Sequence, residues 1–594
     1  MSTFTISDQF YMDGKPFKIL SGSIHYFRIP KESWYHSLYN LKALGFNTVE
    51  TYVPWNYHEA KEETYNFSDN HDLDFFLSQA QELGLYVLLR PSPYICAEWE
   101  FGGLPAWLLT KKVKVRSTDP NYLFYVNRYY DKLIPILKKH ELANGGNIIM
   151  HQVENEYGSY GDEKAYLKAL KTMMVEKGLQ APLFTSDGSW QAALSAGSLI
   201  DEDVLVTGNF GSRPQENFAA LSLFLEDHGK KWPLMCMEFW DGWFNCYKEP
   251  IIKRDPQETV DTIMETIALG NINLYMFHGG SNFAFMNGCS ARGKIDLPQV
   301  TSYDYDAILD EAGNPTKKYR LLQKSMQELF PNHDYHEPLV KETMEIKDIP
   351  LVNKVSLVST LDKLSDVTKT YYPLNMEDLG QSTGYIFYRT KINKESAEVE
   401  KISLIDARDR VQIFQNNQWL ATQYQEEVGQ EVLINLEEEN NLDLLIENMG
   451  RINYGPRLTA PSQSKGLGSG LIADLHFVGN WGIYPLPMDD ISAIDYTNQW
   501  LPNTPAFYEF QFDCQDCQDT YIDMTGFGKG LVFINGKNLG RFWEVGPIVS
   551  LYLPKSYLIT GNNKLTVFET EGKYRNKINL VKHPIIIDVK GENL

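Results

Sequence analysis

Two glutamates, Glu156 in the run HQVENEY and Glu238 in LMCMEFW, each follow a short apolar stretch and sit among Asn, Tyr and Trp. Carboxyls in such surroundings can divide acid–base and nucleophilic work between them. Held about 5 Å apart across a glycosidic bond, one protonates the leaving oxygen and the other attacks the anomeric carbon. For an arbitrary glutamate the ordinary reading is a solvated loop residue. That reading weakens here because both follow strand-like runs.

Those runs belong to a longer alternation of strand and helix. Lys18–Ser23 reads as a strand, and Trp34, Leu38 and Leu41 then share one helical face that ends at Gly45. Thr48–Val53, Leu85–Arg90, Asn147–Gln152, Leu183–Ser186, Val204–Thr207, Leu234–Met237 and Asn273–Phe277 continue the strand series. Helical patterns lie between them at Leu73–Leu83, Glu163–Lys177, Asn217–His228 and Pro256–Leu269, and Asp119-Pro120 reads as a helix cap and first turn. Eight βα units predict a (β/α)₈ barrel over residues 1–330, with its chemistry at the C-terminal strand ends. Glu156 then follows strand four and Glu238 strand seven, on facing sides of the barrel mouth.

After about Phe330 the periodicity changes. GYIFYRTKI, LDLLIEN, AFYEFQF and KLTVFET alternate as strands do, with turns such as Asn535-Gly536 between runs. Two all-β domains of sandwich or jelly-roll type are expected, at 331–485 and 486–594. Neither short repeats nor a low-complexity linker separates them, so they should pack on the barrel.

Composition narrows the partners. The net charge of −22 is spread along the chain, which repels phosphate backbones and argues against nucleic acid and anionic membranes. A neutral small carbohydrate fits better. Aromatic residues make up 13%, enough to stack on sugar rings, although aromatic β-sandwich cores would account for them equally well. MSTFTISDQFYMDGK lacks the basic and apolar regions of a signal peptide, and no run of 18 apolar residues suggests a membrane span. The six scattered cysteines fit a reducing cytoplasm rather than a disulfide framework. Cys514 and Cys517 form a lone CxxC without a second pair or nearby histidines, so no metal and no cofactor is expected. A homodimer is compatible with the sequence.

The stretch GGNIIMHQVENEYGSYG (145–161) resembles the signature of glycoside hydrolase family 35, β-galactosidases of the large retaining barrel clan. The similarity includes SGSIHYFRIP (21–30), ETYVPWNYHE (50–59), RPSPYICAEWEFGGLPAWLL (90–109), NLYMFHGGSNF (273–283) and TSYDYDA (301–307). It continues through ENMGRINYG (447–455) and GKGLVFINGKNLGRFW (528–543). Asn147 departs from the pattern, standing where the signature has Pro, at the start of a strand and away from the chemistry.

The resemblance implies a retaining exo-β-galactosidase whose last domain is galactose-binding-like. It selects Glu156 over Glu154 as acid/base, makes Glu238 the nucleophile, and gives Asn155 the sugar 2-hydroxyl. Tyr52, the backbone of Ala97, Glu98 and Tyr305 match galactose-holding positions, with Glu98 at the axial 4-hydroxyl and Tyr275 beside the nucleophile. Glu154 turns away into structure. Trp240, Trp243 and Tyr454 are expected on the leaving-group side, with a preference for β-1,3 linkage to N-acetylglucosamine, although both tryptophans could instead be core. Two other readings stay open: an exo-β-glucosaminidase of the same family, whose substrate amine would want a further acid near Glu98, and an inactive carbohydrate-binding protein.

Overall fold

The computed structural model describes residues 2–91, 93–293, 295–393 and 398–590. Its first half is a closed barrel of eight parallel strands: β1 (Leu20–Ile24), β2 (Thr48–Tyr52), β3 (Tyr86–Arg90), β4 (Ile148–Gln152), β5 (Leu183–Gly188), β6 (Leu205–Phe210), β7 (Met235–Trp240) and β8 (Asn271–His278). They pair in chain order, and β8 closes on β1 through Ile272–Leu20 and Leu274–Gly22. The strands are buried on both faces, which is why they read as nearly unbroken apolar runs. All eight expected strands are present.

Local signals set the helix ends. Asp119 accepts the Asn121 N–H at 2.9 Å ahead of Pro120–Lys139, and Asp255 accepts from Gln257 and Glu258 ahead of Pro256–Leu269. Each cap satisfies N–H groups that the first helical turn leaves without a carbonyl. Asn147, the odd residue of the signature, gives its side-chain amide to the Leu85 carbonyl at 3.0 Å, at the barrel end opposite the chemistry. That end is sealed by the N-terminal segment, whose Phe10 and Met12 pack on Leu88, Met150, Phe184, Leu205 and Met235.

The β-rich half is a six-stranded and a four-stranded sheet sharing one core, followed by an eight-stranded sheet. One strand corrects the expected division. Ile346–Ser356 lies inside 331–485, yet it pairs with Ala506–Cys514 and Lys577–Val581. The chain therefore enters the last sheet before building the first β domain and returns to it afterwards. Alternation identifies a strand but not its partner, which here lies some 150 residues away on one side. The cysteine reading also needs correction, since Cys514 and Cys517 are joined as a disulfide while the other four thiols are buried and free. Among the described residues no helix is long and apolar enough to cross a membrane.

The first β domain docks on the barrel through Arg451, fully buried, which donates to Glu100 of the barrel at 2.6 Å and to Glu377 of its own domain. Removing any one member would strand buried charge. The anchored segment Ile452–Tyr454 pairs in parallel with Cys289–Arg292, beyond β8. That pairing carries Asn453 and Tyr454 to the barrel mouth.

Candidate active site

At the C-terminal ends of the strands lies a cavity of about 350 Å³. Its lining includes all eleven residues singled out above: Tyr52, Ala97, Glu98, Asn155, Glu156, Glu238, Trp240, Trp243, Tyr275, Tyr305 and Tyr454. Trp240 is half-buried, whereas Trp243 is 37% and Tyr454 42% exposed. The tryptophans are therefore cavity and rim residues rather than core.

Glu238 leaves β7 buried and surrounded by donors. Arg90 Nη1, at the end of β3, lies 2.7 Å from its Oε1, and the Tyr52 hydroxyl 2.7 Å from the same atom. The indole N–H of Trp240 reaches Oε2 at 3.2 Å. Two hydrogen-bond donors and one ion-paired guanidinium meet its two oxygens and hold the side chain in place. Arg90 also donates to Asn155 Oδ1 at 2.7 Å, so Asn155 and Glu238 hang on one guanidinium. The second Asn155 function, its Nδ2, donates to the Ile95 carbonyl at 3.1 Å.

Glu156 follows β4 with its backbone in the left-handed region, φ 44°. Its N–H donates to the Ser186 carbonyl of β5 at 3.1 Å, and its Oε1 accepts from Asn209 Nδ2 of β6 at 2.9 Å. Burial, followed by repulsion from Glu238, pushes its carboxyl up to about 7. A carboxyl that keeps its proton below about pH 7 therefore shares the cavity with a donor-held one. Glu154, two residues earlier, turns the other way: Arg116 grips it at 2.8 and 2.9 Å and the Tyr166 hydroxyl lies at 3.1 Å.

Glu98 closes the opposite wall. Cys96, Ala97 and Glu98 all have positive φ, at 58°, 50° and 48°. Three consecutive non-glycine residues in that region are strained, and such strain persists only where packing over-determines it. Arg28 supplies the clamp: its guanidinium donates to the Ala97 carbonyl and lies 3.7 Å from the ring centre of Tyr303. Tyr303 in turn donates to Glu98, and its hydroxyl is 3.3 Å from that of Tyr275. Burial raises the Glu98 carboxyl to about 7 against the pull of Tyr303 and Arg28.

Several site residues were not singled out from sequence. Arg90 ends the apolar strand LYVLLR and Asn209 stands next to last in VLVTGNF, and a polar residue near the end of such a run was the available signal. Glu50 is buried in β2, 3.7 Å from Arg90. Trp190, 56% exposed, and Asn453 complete the wall; nothing in their local sequence marks them.

The comparisons with known proteins agree with this geometry. The family model described as glycosyl hydrolases family 35 matches residues 9–329. Residues 373–487 match a β-galactosidase first all-β domain, and 505–563 a β-galactosidase galactose-binding domain. A β-galactosidase of Xanthomonas manihotis is 39% identical over 94% of this chain and 92% of its own length. Those of Bos taurus and Homo sapiens are each 37% identical over 95% of this chain, and over 89% and 86% of their own lengths. The barrel, the β domains that follow it and this extent of identity place the chain in glycosyl hydrolase family 35.

Proposed function

We propose that this chain is a retaining exo-β-galactosidase in which Glu238 is the nucleophile and Glu156 the acid/base. One observation carries the reading: Glu156, its carboxyl raised by burial, and a donor-held Glu238 line the same cavity. In the first step Glu238 attacks the anomeric carbon while Glu156 protonates the departing oxygen. In the second, Glu156, now anionic, takes a proton from the water that displaces Glu238, and configuration is retained overall.

Tyr52, the Ala97 backbone, Glu98, Asn155, Tyr275 and Tyr305 would hold galactose. Glu98 at the axial 4-hydroxyl would penalise glucose, whose equatorial hydroxyl leaves the carboxyl unpaired. Trp240, Trp243 and Tyr454 would wall the leaving-group side and favour a β-1,3-linked N-acetylglucosamine. Among the described residues Glu98, Glu156 and Glu238 are the carboxylates lining the cavity. An aminosugar would therefore find no added acidic partner, which disfavours the glucosaminidase reading.

Nitrophenyl β-galactoside, β-glucoside and β-glucosaminide, assayed side by side, test the substrate. Proton NMR of the first-formed sugar tests the stereochemistry, with β-galactose expected. Initial α-galactose, or faster glucosaminide turnover, would overturn the proposal.

A further inference from the structure

A second cleft, of about 570 Å³, lies where the two β regions meet, and none of its lining residues borders the active-site cavity. One wall is a hairpin whose turn residues Asn416 and Asn417 both have positive φ, 50° and 65°, the conformation that tight two-residue turns demand and Asn tolerates. The turn delivers Gln418 and Trp419 to the cleft. Trp419 is 55% exposed, and its indole N–H is tied to Thr422 Oγ1 at 3.1 Å, which fixes the ring while leaving a face open.

The floor is Gln412, buried on Arg410–Gln415. Its Nε2 donates to the Thr570 carbonyl at 2.8 Å, whereas its Oε1 has no hydrogen-bond partner among the described residues. That oxygen is itself closed to solvent, so the amides a ligand can reach are those of Gln418 and Asn503, both exposed. Asn503 and Glu571 complete the lining from the last domain. Arg410 is paired to Glu571 and lies 3.9 Å from Glu447, so its charge is already answered and it makes a poor anion trap.

A lone exposed tryptophan is ordinary on a protein surface. Here it borders a cleft of ligand size that also presents the exposed amide side chains of Asn417, Gln418 and Asn503. That combination suits a neutral pyranose: the polarised C–H groups of its less hydroxylated face meet the electron-rich indole, and its hydroxyls meet amide oxygens and nitrogens. We propose that this cleft is a non-catalytic binding site for a neutral sugar unit of a glycan, stacked on Trp419 with its hydroxyls on the amides of Gln418 and Asn503.

The test uses the full chain carrying Glu238→Gln, titrated by calorimetry with lactose, diacetylchitobiose and maltose, alone and with Trp419→Ala added. At least one sugar should show a site whose affinity falls tenfold or more when Trp419 is lost. Asn503→Gly, which removes the amide at an exposed position whose φ of 59° glycine adopts freely, should weaken the same site several-fold. Trp419→Ala in the otherwise unaltered chain should keep nitrophenyl galactoside turnover within twofold. Only the difference made by Trp419 is read, so the outcome does not depend on the catalytic assignment. Superimposable isotherms with and without Trp419 for all three sugars would overturn the proposal.

Discussion

Glu154 and Glu156 stand two residues apart on one loop and face opposite environments. Arg116 and Tyr166 take up the carboxylate of Glu154 inside the barrel wall, while Glu156 opens on the cavity with Asn209 as its side-chain donor. Both residues have positive φ, 58° and 44°, so the chain reverses sharply enough for neighbouring side chains to diverge. One carboxylate is spent on structure and the other is left for chemistry. Four outcomes follow for the rest of the site.

Activity should fall as pH rises through about 7, because Glu156 works as an acid only while protonated and its carboxyl lies near that value. The alkaline limb of kcat/KM should be steep on lactose, whose leaving group needs the proton. On dinitrophenyl galactoside it should flatten. An identical limb on both substrates would assign it to another group.

Stability should carry the mark of Glu50. Burial raises its carboxyl from the usual 4.5 to about 7, so between these values the folded chain holds a proton that the unfolded chain has lost. Stability contributed by the protonated form is therefore complete below pH 4.5 and drains away as pH rises toward 7. At roughly 1.4 kcal/mol per pH unit the loss is on the order of 3 kcal/mol. Denaturant midpoints measured from pH 5 to 8 should decline less in Glu50→Gln than in the parent chain, and parallel declines would contradict this.

Arg90→Lys should cost kcat about a hundredfold with little change in KM. A lysine keeps the charge but not the planar fork that reaches Glu238 and Asn155 together. Steady-state kinetics on nitrophenyl galactoside would show it; a rise in KM at constant kcat would mean that Arg90 serves binding alone.

Trp240 and Trp243 should separate. The indole of Trp240 touches Glu238 as well as lining the cavity, so Trp240→Ala should lower kcat/KM roughly tenfold or more on nitrophenyl galactoside as well as on disaccharides. Trp243 stands edge-on to Trp240 at 5.6 Å between ring centres and is more exposed. Its loss should fall on β-1,3-linked disaccharides and spare the nitrophenyl substrate. Equal losses in Trp243→Ala would remove it from the leaving-group side.

The barrel was legible because strands buried on both faces must be apolar, and LYVLLR or LMCMEFW can be little else. Glu156 and Glu238 stood out for the same reason, as charges placed where such runs end. What stayed hidden depended on distant partners. Arg90 shows itself as the holder of Glu238 only once β3 and β7 share a barrel, and Ile346–Ser356 alternates like any strand while its neighbours lie far along the chain. The Cys514–Cys517 bond needs a backbone that brings the two residues together, and spacing alone left it unpaired. Trp190 sits in a loop with no periodicity, so its place in the cavity wall is a property of the fold rather than of its local sequence.

The central claim is that Glu156, and not Glu154, moves the proton, and azide tests it most directly. A general acid matters most for a poor leaving group and little for an activated phenol. In Glu156→Ala, galactosylation by dinitrophenyl galactoside should stay fast, hydrolysis of lactose should nearly vanish, and the galactosyl enzyme should accumulate for want of a base. Azide entering the space left by the side chain should restore turnover and yield β-galactosyl azide, with configuration retained. Glu154→Ala should lose stability, because Arg116 is left buried and unpaired, and should show neither leaving-group selectivity nor rescue. Rescue by azide in Glu154→Ala, or its failure in Glu156→Ala with the fold intact, would contradict the assignment.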